Sequence, residues 1–296
     1  MDRIEDFDDA YANMAHVPDG AAWPARWEGA AAAFRDVAAQ RARLGVPYGE
    51  GEREWLDLFM PEEGLAPEGG SRGLVVFVHG GYWIRFGPRH FSHLAAGSLA
   101  RGFAVAMPAY PLAPSARVAD LVRAVARGVA HAASLVPGPI VLTGHSAGGH
   151  LATRLVCDDA LLPGPVAARV ARCVSISGVH DLRPMLRTAL NGDIRLDADE
   201  ARAESPALME PRVGTRHLAW VGQAERAEFV RQSALIANVW RGLGAEARLV
   251  VEPDRHHFDV IEALASPDAP LTRAVLEGLE GLEGLDHRTA AGVAGA

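Results

Sequence analysis

Six short apolar runs, at residues 73–78, 103–107, 140–143, 173–177, 217–221 and 247–251, recur along most of the chain. The first, GLVVFV, has no polar alternation, which is the pattern of a strand buried on both faces. Helical stretches stand between several of the runs, at residues 91–100, 116–135, 146–157 and 227–243. In the second of these, Val118, Leu121, Val122 and Val125 line one stripe. Strand–helix alternation of this kind predicts an α/β fold: a mostly parallel central sheet with helices on both faces. Upstream, residues 20–43 read as a helix with Asp19 as N-cap and Gly45 as its stop; Trp27, Ala31, Phe34 and Val37 share one face. Residues 53–60 read as a further strand, ended by Pro61.

Charge and residue usage narrow the chemistry. The chain has 29 basic and 37 acidic side chains, a net charge of −8. A negative chain without basic runs is a poor nucleic-acid binder. Every basic residue is Arg, so a Walker lysine, a Schiff-base lysine and a Ser–Lys dyad are excluded. Cys157 and Cys173 fit no zinc or redox spacing and are expected as buried, reduced thiols. The acidic opening residues lack the apolar core of a signal peptide, and no apolar stretch is long enough to span a bilayer. A cytoplasmic location is the resulting expectation.

Gly144-His145-Ser146-Ala147-Gly148 fits G-x-S-x-G. The pattern alone is weak, but its setting is specific. It directly follows the run 140–143 and precedes a helical stretch with Leu151 and Leu155 at i,i+4 spacing. A turn this sharp strains its central residue, and flanking glycines remove the side chains that would clash. Ser146 would then stand above the sheet edge beside the positive end of a helix, placed as a nucleophile.

A second motif, His79-Gly80-Gly81-Tyr82-Trp83, follows the run ending at Val78. Acyl transfer passes through a tetrahedral oxyanion, which fixed backbone N–H groups stabilise. Donors are expected from Gly81, Tyr82 and Ala147. His79 and Gly80 are expected to brace the loop. Tyr82 and Trp83 are candidates for substrate contact, plain packing being the alternative.

For a nucleophile on such a turn, the acid and then the histidine follow in chain order. His256 and His257 come after the last apolar run, and Phe258 can anchor the second, so His257 is favoured as base. Glu225 lies just past the run 217–221 and is the candidate acid; Glu228 is the fallback. Asp254 and Asp259 are too close to the histidines in sequence to come from another strand end. His90 and His93, with His256 and His257, offer a metal-ligand alternative, but no carboxylate completes a known ligand pattern.

HGGYW, GHSAGG, the segment VGQAERAEFVRQS and HHFDVI resemble the kynurenine formamidase (arylformamidase) family, close to the hormone-sensitive-lipase-like esterases. Tyr48-Gly49, Leu56-Asp57-Leu58-Phe59 and Pro61 extend the likeness, which runs from about residue 48 to 271. The resemblance implies an α/β-hydrolase fold and a triad of Ser146, Glu225 and His257. The chain departs from the family where some members carry Asp in place of Glu225, and often Asn in place of His256. The expected activity is metal-independent serine hydrolysis of an aryl formamide, N-formyl-L-kynurenine to L-kynurenine and formate, through an acyl-enzyme. The alternative is a carboxylesterase for short acyl esters. No cofactor or metal is expected. The expected partner is a small-molecule substrate, without nucleic acid or membrane, and a homodimer stays open. In domain terms, residues 1–45 would be a helical segment packing on or capping the core, 46–284 the hydrolase domain and 285–296 a loose tail.

Overall fold

The computed structural model describes residues 3–66 and 70–279. The tail expected at 285–296 lies outside the described residues. Eight strands form one sheet: β1 (Ala42–Pro47), β2 (Trp55–Phe59), β3 (Leu74–Val78), β4 (Ala104–Pro108), β5 (Ile140–His145), β6 (Val170–Ile176), β7 (Arg216–Gly222) and β8 (Glu246–Glu252). Their spatial order is β1-β2-β4-β3-β5-β6-β7-β8. β1 and β2 run antiparallel at one edge; β4, β3, β5, β6, β7 and β8 are mutually parallel. All six expected apolar strands are present. β3 and β4 are buried along their whole length, as covered parallel strands must be.

Helices α1 (Phe7–Tyr11), α2 (Asn13–His16) and α3 (Trp23–Val37) precede the sheet. Helices α4 (Ala96–Ala100), α5 (Val118–Leu135), α6 (Ala147–Arg154), α7 (Gly164–Arg169), α8 (Asn191–Ile194), α9 (Ala198–Ala203), α10 (Ala227–Gly242) and α11 (Pro270–Leu276) connect or follow the strands. Two apolar clusters result. One holds the α5, α6 and α10 contacts with Val76, Val78 and Leu142; the other holds Trp27, Phe91 and Leu271 against Val75, Phe77 and Val141. Successive strand residues point to opposite faces, so the two faces of β3 feed different clusters. Among the described residues no helix is long and apolar enough to cross a membrane. Cys157 and Cys173 are free and buried, and burial pushes both thiols up to about 12.

The first helix departs from expectation. α3 stops at Val37, and residues 42–47 turn back as β1 against β2. Gly45 does not end a helix. It sits at φ 70° in an irregularity of β1, where its N–H donates to the buried Asp57 at 2.8 Å. Asp19 is left-handed and caps nothing. Val37, placed at the helix end, is 79% exposed rather than on the buried face with Trp27 and Ala31. The stretch 91–100 also begins as a 3-10 turn, Ser92–Ala95, before α4.

Candidate active site

The loops that leave β3, β5, β6, β7 and β8 all leave from carboxyl ends, which brings their first residues to one edge of the sheet. β5 ends at His145 and α6 begins at Ala147, so Ser146 turns the chain alone, at φ 55° and ψ −120°. Such a conformation costs about 1–3 kcal/mol and persists only where its surroundings impose it. Here the Ser146 N–H donates to the Ile176 carbonyl at 2.8 Å. Gly148 presses against the end of β3: a Cβ on it would lie 2.0 Å from the Val78 oxygen. Any side chain at that position would push the turn off the sheet.

The loop after β3 folds against this turn. Gly81 has φ 116°, and a Cβ there would meet the Arg85 oxygen at 2.4 Å. Its carbonyl accepts from Ile84 and Arg85, closing a tight turn. Gly80 faces the Ser146 turn, where an added Cβ would stand 3.1 Å from that of Ser146. Among the described residues nothing accepts from the N–H groups of Gly81, Tyr82 or Ala147. His79 is fully buried and stacked on Tyr110 with ring centroids 4.2 Å apart. Its Nδ1 pairs with the Gly80 carbonyl at 2.8 Å, and the Tyr110 hydroxyl donates to its carbonyl at 2.8 Å. Burial lowers its pKa to about 3, so it is a neutral ring.

Glu225 and His257 meet from the ends of β7 and β8. His257 Nδ1 lies 2.6 Å from Glu225 Oε2. The other carboxylate oxygen accepts from Gly222 N–H at 2.8 Å and from the Ser177 hydroxyl at 2.5 Å. The Glu225 side chain is fully buried, and all three of its partners donate to it. His145 holds His257 from behind: its Nε2 donates to the His257 carbonyl at 2.8 Å, and the two rings lie 4.6 Å apart. Burial, with the neighbouring His257, keeps the His145 pKa well below the usual histidine range. Ser146 and His257 are each 3% exposed; no hydrogen bond joins their side chains among the described residues. Such bonds commonly form only with substrate in place.

The other candidates lie elsewhere. His256 turns away: its Nδ1 accepts from the N–H groups of Phe258 and Asp259, and its ring meets Trp23 edge-on at 5.3 Å. Glu228 is buried in a pair with Arg231 and accepts from the Tyr11 hydroxyl at 2.6 Å. Asp259 Oδ1 accepts from the His256 N–H, and Asp254 occupies a left-handed turn. His93 faces Glu262 at 3.4 Å, and His90 packs against Phe86. Among the described residues no three His, Cys, Asp or Glu side chains converge as a metal site.

Trp83 corrects the expectation of substrate contact. Its side chain is wholly buried and donates to His150 Nδ1 at 3.2 Å. The left-handed backbone at Tyr82 and Trp83, φ 51° and 62°, turns the indole into the core. His150 in turn bonds the Glu204 carbonyl at 2.7 Å, and burial lowers its pKa to about 3. Tyr82 is half-buried, and its hydroxyl donates to the Tyr11 carbonyl while accepting from Asn13 Nδ2 at 2.9 Å. Tyr11 packs edge-on against Phe229, 5.8 Å away, and Phe229 lies 4.4 Å from His257. α1 and α2 therefore pack over Tyr82 and Phe229 as a roof beside the His257 ring.

Sequence reasoning did not single out Ser177, Tyr11 or Asn13. Ser177 carried a signal only in its place, one residue past an apolar run. It is another strained residue, φ 52°; Tyr82, Trp83, Ser146 and Ser177 account for four of nine non-glycine positive-φ residues among those described. Strain gathered in this way marks functional sites.

An open, mostly parallel sheet with a serine on the β5 turn and a carboxylate–histidine pair from β7 and β8 defines a class, and comparison agrees with it. Residues 75–292 match the model of the alpha/beta hydrolase family. Kynurenine formamidase from Salmo salar is 30% identical over 246 residues, which cover 79% of this chain and 81% of that one. The Danio rerio kynurenine formamidase is 29% identical, over 79% of this chain and 80% of that one. Among solved structures, a provisionally assigned thioesterase from Silicibacter sp. TM1040 is 45% identical with a TM-score of 0.85, covering 91% of this chain and 98% of that one. The chain belongs to the alpha/beta hydrolase family, as a kynurenine formamidase-like member, and is a hydrolase.

Proposed function

We propose that this hydrolase uses Ser146 as nucleophile, and that its substrate is an aryl formamide, N-formyl-L-kynurenine. The observation that carries the reading is the His257–Glu225 pair at 2.6 Å, held beside a serine on a strained strand-to-helix turn. The Ser146 hydroxyl oxygen attacks the formyl carbon while His257 Nε2 takes its proton. The oxyanion that forms accepts from the N–H groups of Gly81, Tyr82 and Ala147. Glu225 orients the ring through Nδ1–H and stabilises the imidazolium. The C–N bond then breaks, and His257 returns the proton to the aryl amine, which leaves. Water, deprotonated by the same histidine, attacks the formyl ester; formate departs and Ser146 recovers its proton. No metal enters these steps.

Two things support the formamide. The named relatives are formamidases over most of their length. The near-complete enclosure of Ser146 and His257 also suits the smallest acyl group. A second reading, thioester or short-chain ester hydrolysis, is favoured by the solved structure at 45% identity. The chemistry would be the same, with only the pockets differing.

The test is turnover of N-formyl-L-kynurenine, p-nitrophenyl acetate and acetyl-thiocholine by one preparation, with Ser146→Ala alongside. The formamide should be the best substrate by kcat/KM. The variant should be folded, inactive and blind to a fluorophosphonate probe. Preference for the thioester or ester would decide for the second reading, and full labelling of the variant would remove Ser146 as nucleophile.

A further inference from the structure

Asn13 is 3% exposed, and its Oδ1 is buried without a hydrogen-bond partner. Its orientation is fixed by its neighbours. The Tyr82 hydroxyl spends its proton on the Tyr11 carbonyl, so it can only accept from Asn13, through Nδ2. Flipping the amide would set oxygen against an oxygen with no proton to give. A buried acceptor left in this state is uncommon and asks for an explanation.

Its place supplies one. Asn13 sits at the far end of the Tyr82 side chain, whose backbone N–H is among the donors assigned to the oxyanion. On the other side, Tyr11 and Phe229 connect the roof to the His257 ring. Asn13 thus stands one tyrosine side chain from the reacting centre, on the roof. Burial raises the pKa of the Tyr82 phenol, the hydrogen bond from Asn13 and the Arg85 charge oppose that rise, and the Glu225 charge adds the smallest push upward.

We propose that Asn13 Oδ1 is a specificity contact for the leaving group: it accepts a hydrogen bond from an ammonium carried on the chain ortho to the formamide. This rests on the formamidase reading and deepens it. N-formyl-L-kynurenine carries such an α-ammonium, several bonds from the formyl carbon. 2′-Formamidoacetophenone has the same scissile bond and aryl ketone but no ammonium.

The experiment compares KM and kcat for these two formamides in the wild type, Asn13→Leu and Asn13→Asp. Asn13→Leu should raise KM for N-formyl-L-kynurenine about tenfold to a hundredfold with kcat little changed, as for loss of a bond to a charged donor. KM for 2′-formamidoacetophenone should hardly move. Asn13→Asp keeps an acceptor and adds charge, while the Tyr82 hydroxyl must turn its proton from the Tyr11 carbonyl to the new oxygen. Both formamides should feel that rearrangement, but N-formyl-L-kynurenine should gain relative to the acetophenone, and the variant serves should the leucine variant not fold. Equal changes for both substrates in either variant, or none, would overturn the contact. A wild type that cleaves p-nitrophenyl acetate but neither formamide would instead overturn the formamidase reading, and the contact with it.

Discussion

Ser146, Glu225 and His257 hang from strand ends fixed by backbone contacts, whereas Tyr11 and Asn13, facing them, belong to helices of five and four residues. On the sheet side, Gly148 lies against Val78, Ser146 is bonded to Ile176, and Glu225 is gripped by three donors. The roof has two inner anchors: the Tyr11 ring, whose hydroxyl meets Glu228 and Gln232, and the Tyr82 hydroxyl, which bonds the Tyr11 carbonyl and Asn13. Its other ties are at the surface: Asp9 to Arg226 and His16, Asp8 to the Ala189 N–H, and Arg187 over the Phe7 ring. Helices this short have little stability of their own and depend on such contacts. The difference teaches a division of labour. The sheet side would provide the precision of the proposed chemistry; the roof, built on short helices, is the part better placed to yield.

The largest expected break in this comparison is on the sheet side. His257→Ala should lower kcat/KM by about 10²–10⁴-fold, because both proton transfers lose their carrier. His256→Ala, two residues from Phe258 but bonded only to its own turn, should cost far less. Steady-state kinetics on both variants settles the point, and the reverse ranking would move the base to His256.

Next comes Ser177→Ala. The change removes one of three donors to Glu225 and should cost about tenfold to a hundredfold in kcat, with KM little changed. A loss that falls on KM instead of kcat, or no loss, would reduce Ser177 to a packing role.

What was legible in the sequence follows the same division. GHSAGG and HGGYW are contiguous, and each encodes a turn whose residues stand together in space as they do in sequence. The strand runs were equally plain because parallel strands covered on both faces tolerate few polar residues. Ser177 was not legible, since its meaning is a contact 48 positions away, and serines after strands are common. Tyr11 and Asn13 lie 217 and 69 positions from Glu228 and Tyr82. No local pattern announces pairings at that range. Gly45 was misleading for a physical reason: a glycine at positive φ serves a strand irregularity as well as a helix end. Trp83 was open between substrate contact and packing because the motif places it at the site; its side chain is buried, behind two left-handed residues in succession.

The two sides should also differ in their response to acid. His79, His150 and His217 are buried, and burial lowers each pKa to about 3; His145 and His180 lie well below the usual range for the same reason. These groups are neutral in the fold but protonate near 6.5 once unfolded. Their contribution to stability is complete above that value and is lost as pH falls from about 6.5 toward 3. Urea midpoints measured across this window should fall steeply, with more than one proton taken up on unfolding. A midpoint independent of pH between 6.5 and 4.5 would mean that the five rings are not held neutral. The roof carries instead an exposed pair, His16 with Asp9, whose carboxyl pKa is lowered by that hydrogen bond.

The smallest effect belongs to the outermost tie. Arg226 holds Asp9 through both its side chain and its carbonyl, from the N-cap position of α10. Pairs this exposed contribute little, so Arg226→Ala should leave thermal stability nearly unchanged. Its consequence should be local. Most of the roof's ties lie at the surface, so its opening can be uncoupled from opening of the sheet. Amide hydrogen exchange over residues 7–16 should then quicken by at most about fivefold in the variant, while exchange in β3, β5 and β7 stays at the wild-type rate. KM should shift by a similar or smaller factor, because a looser roof alters access to the site and leaves its chemistry alone. Equal acceleration in the strands would show that roof and sheet open as one unit, and the division of labour drawn between them would have to be given up.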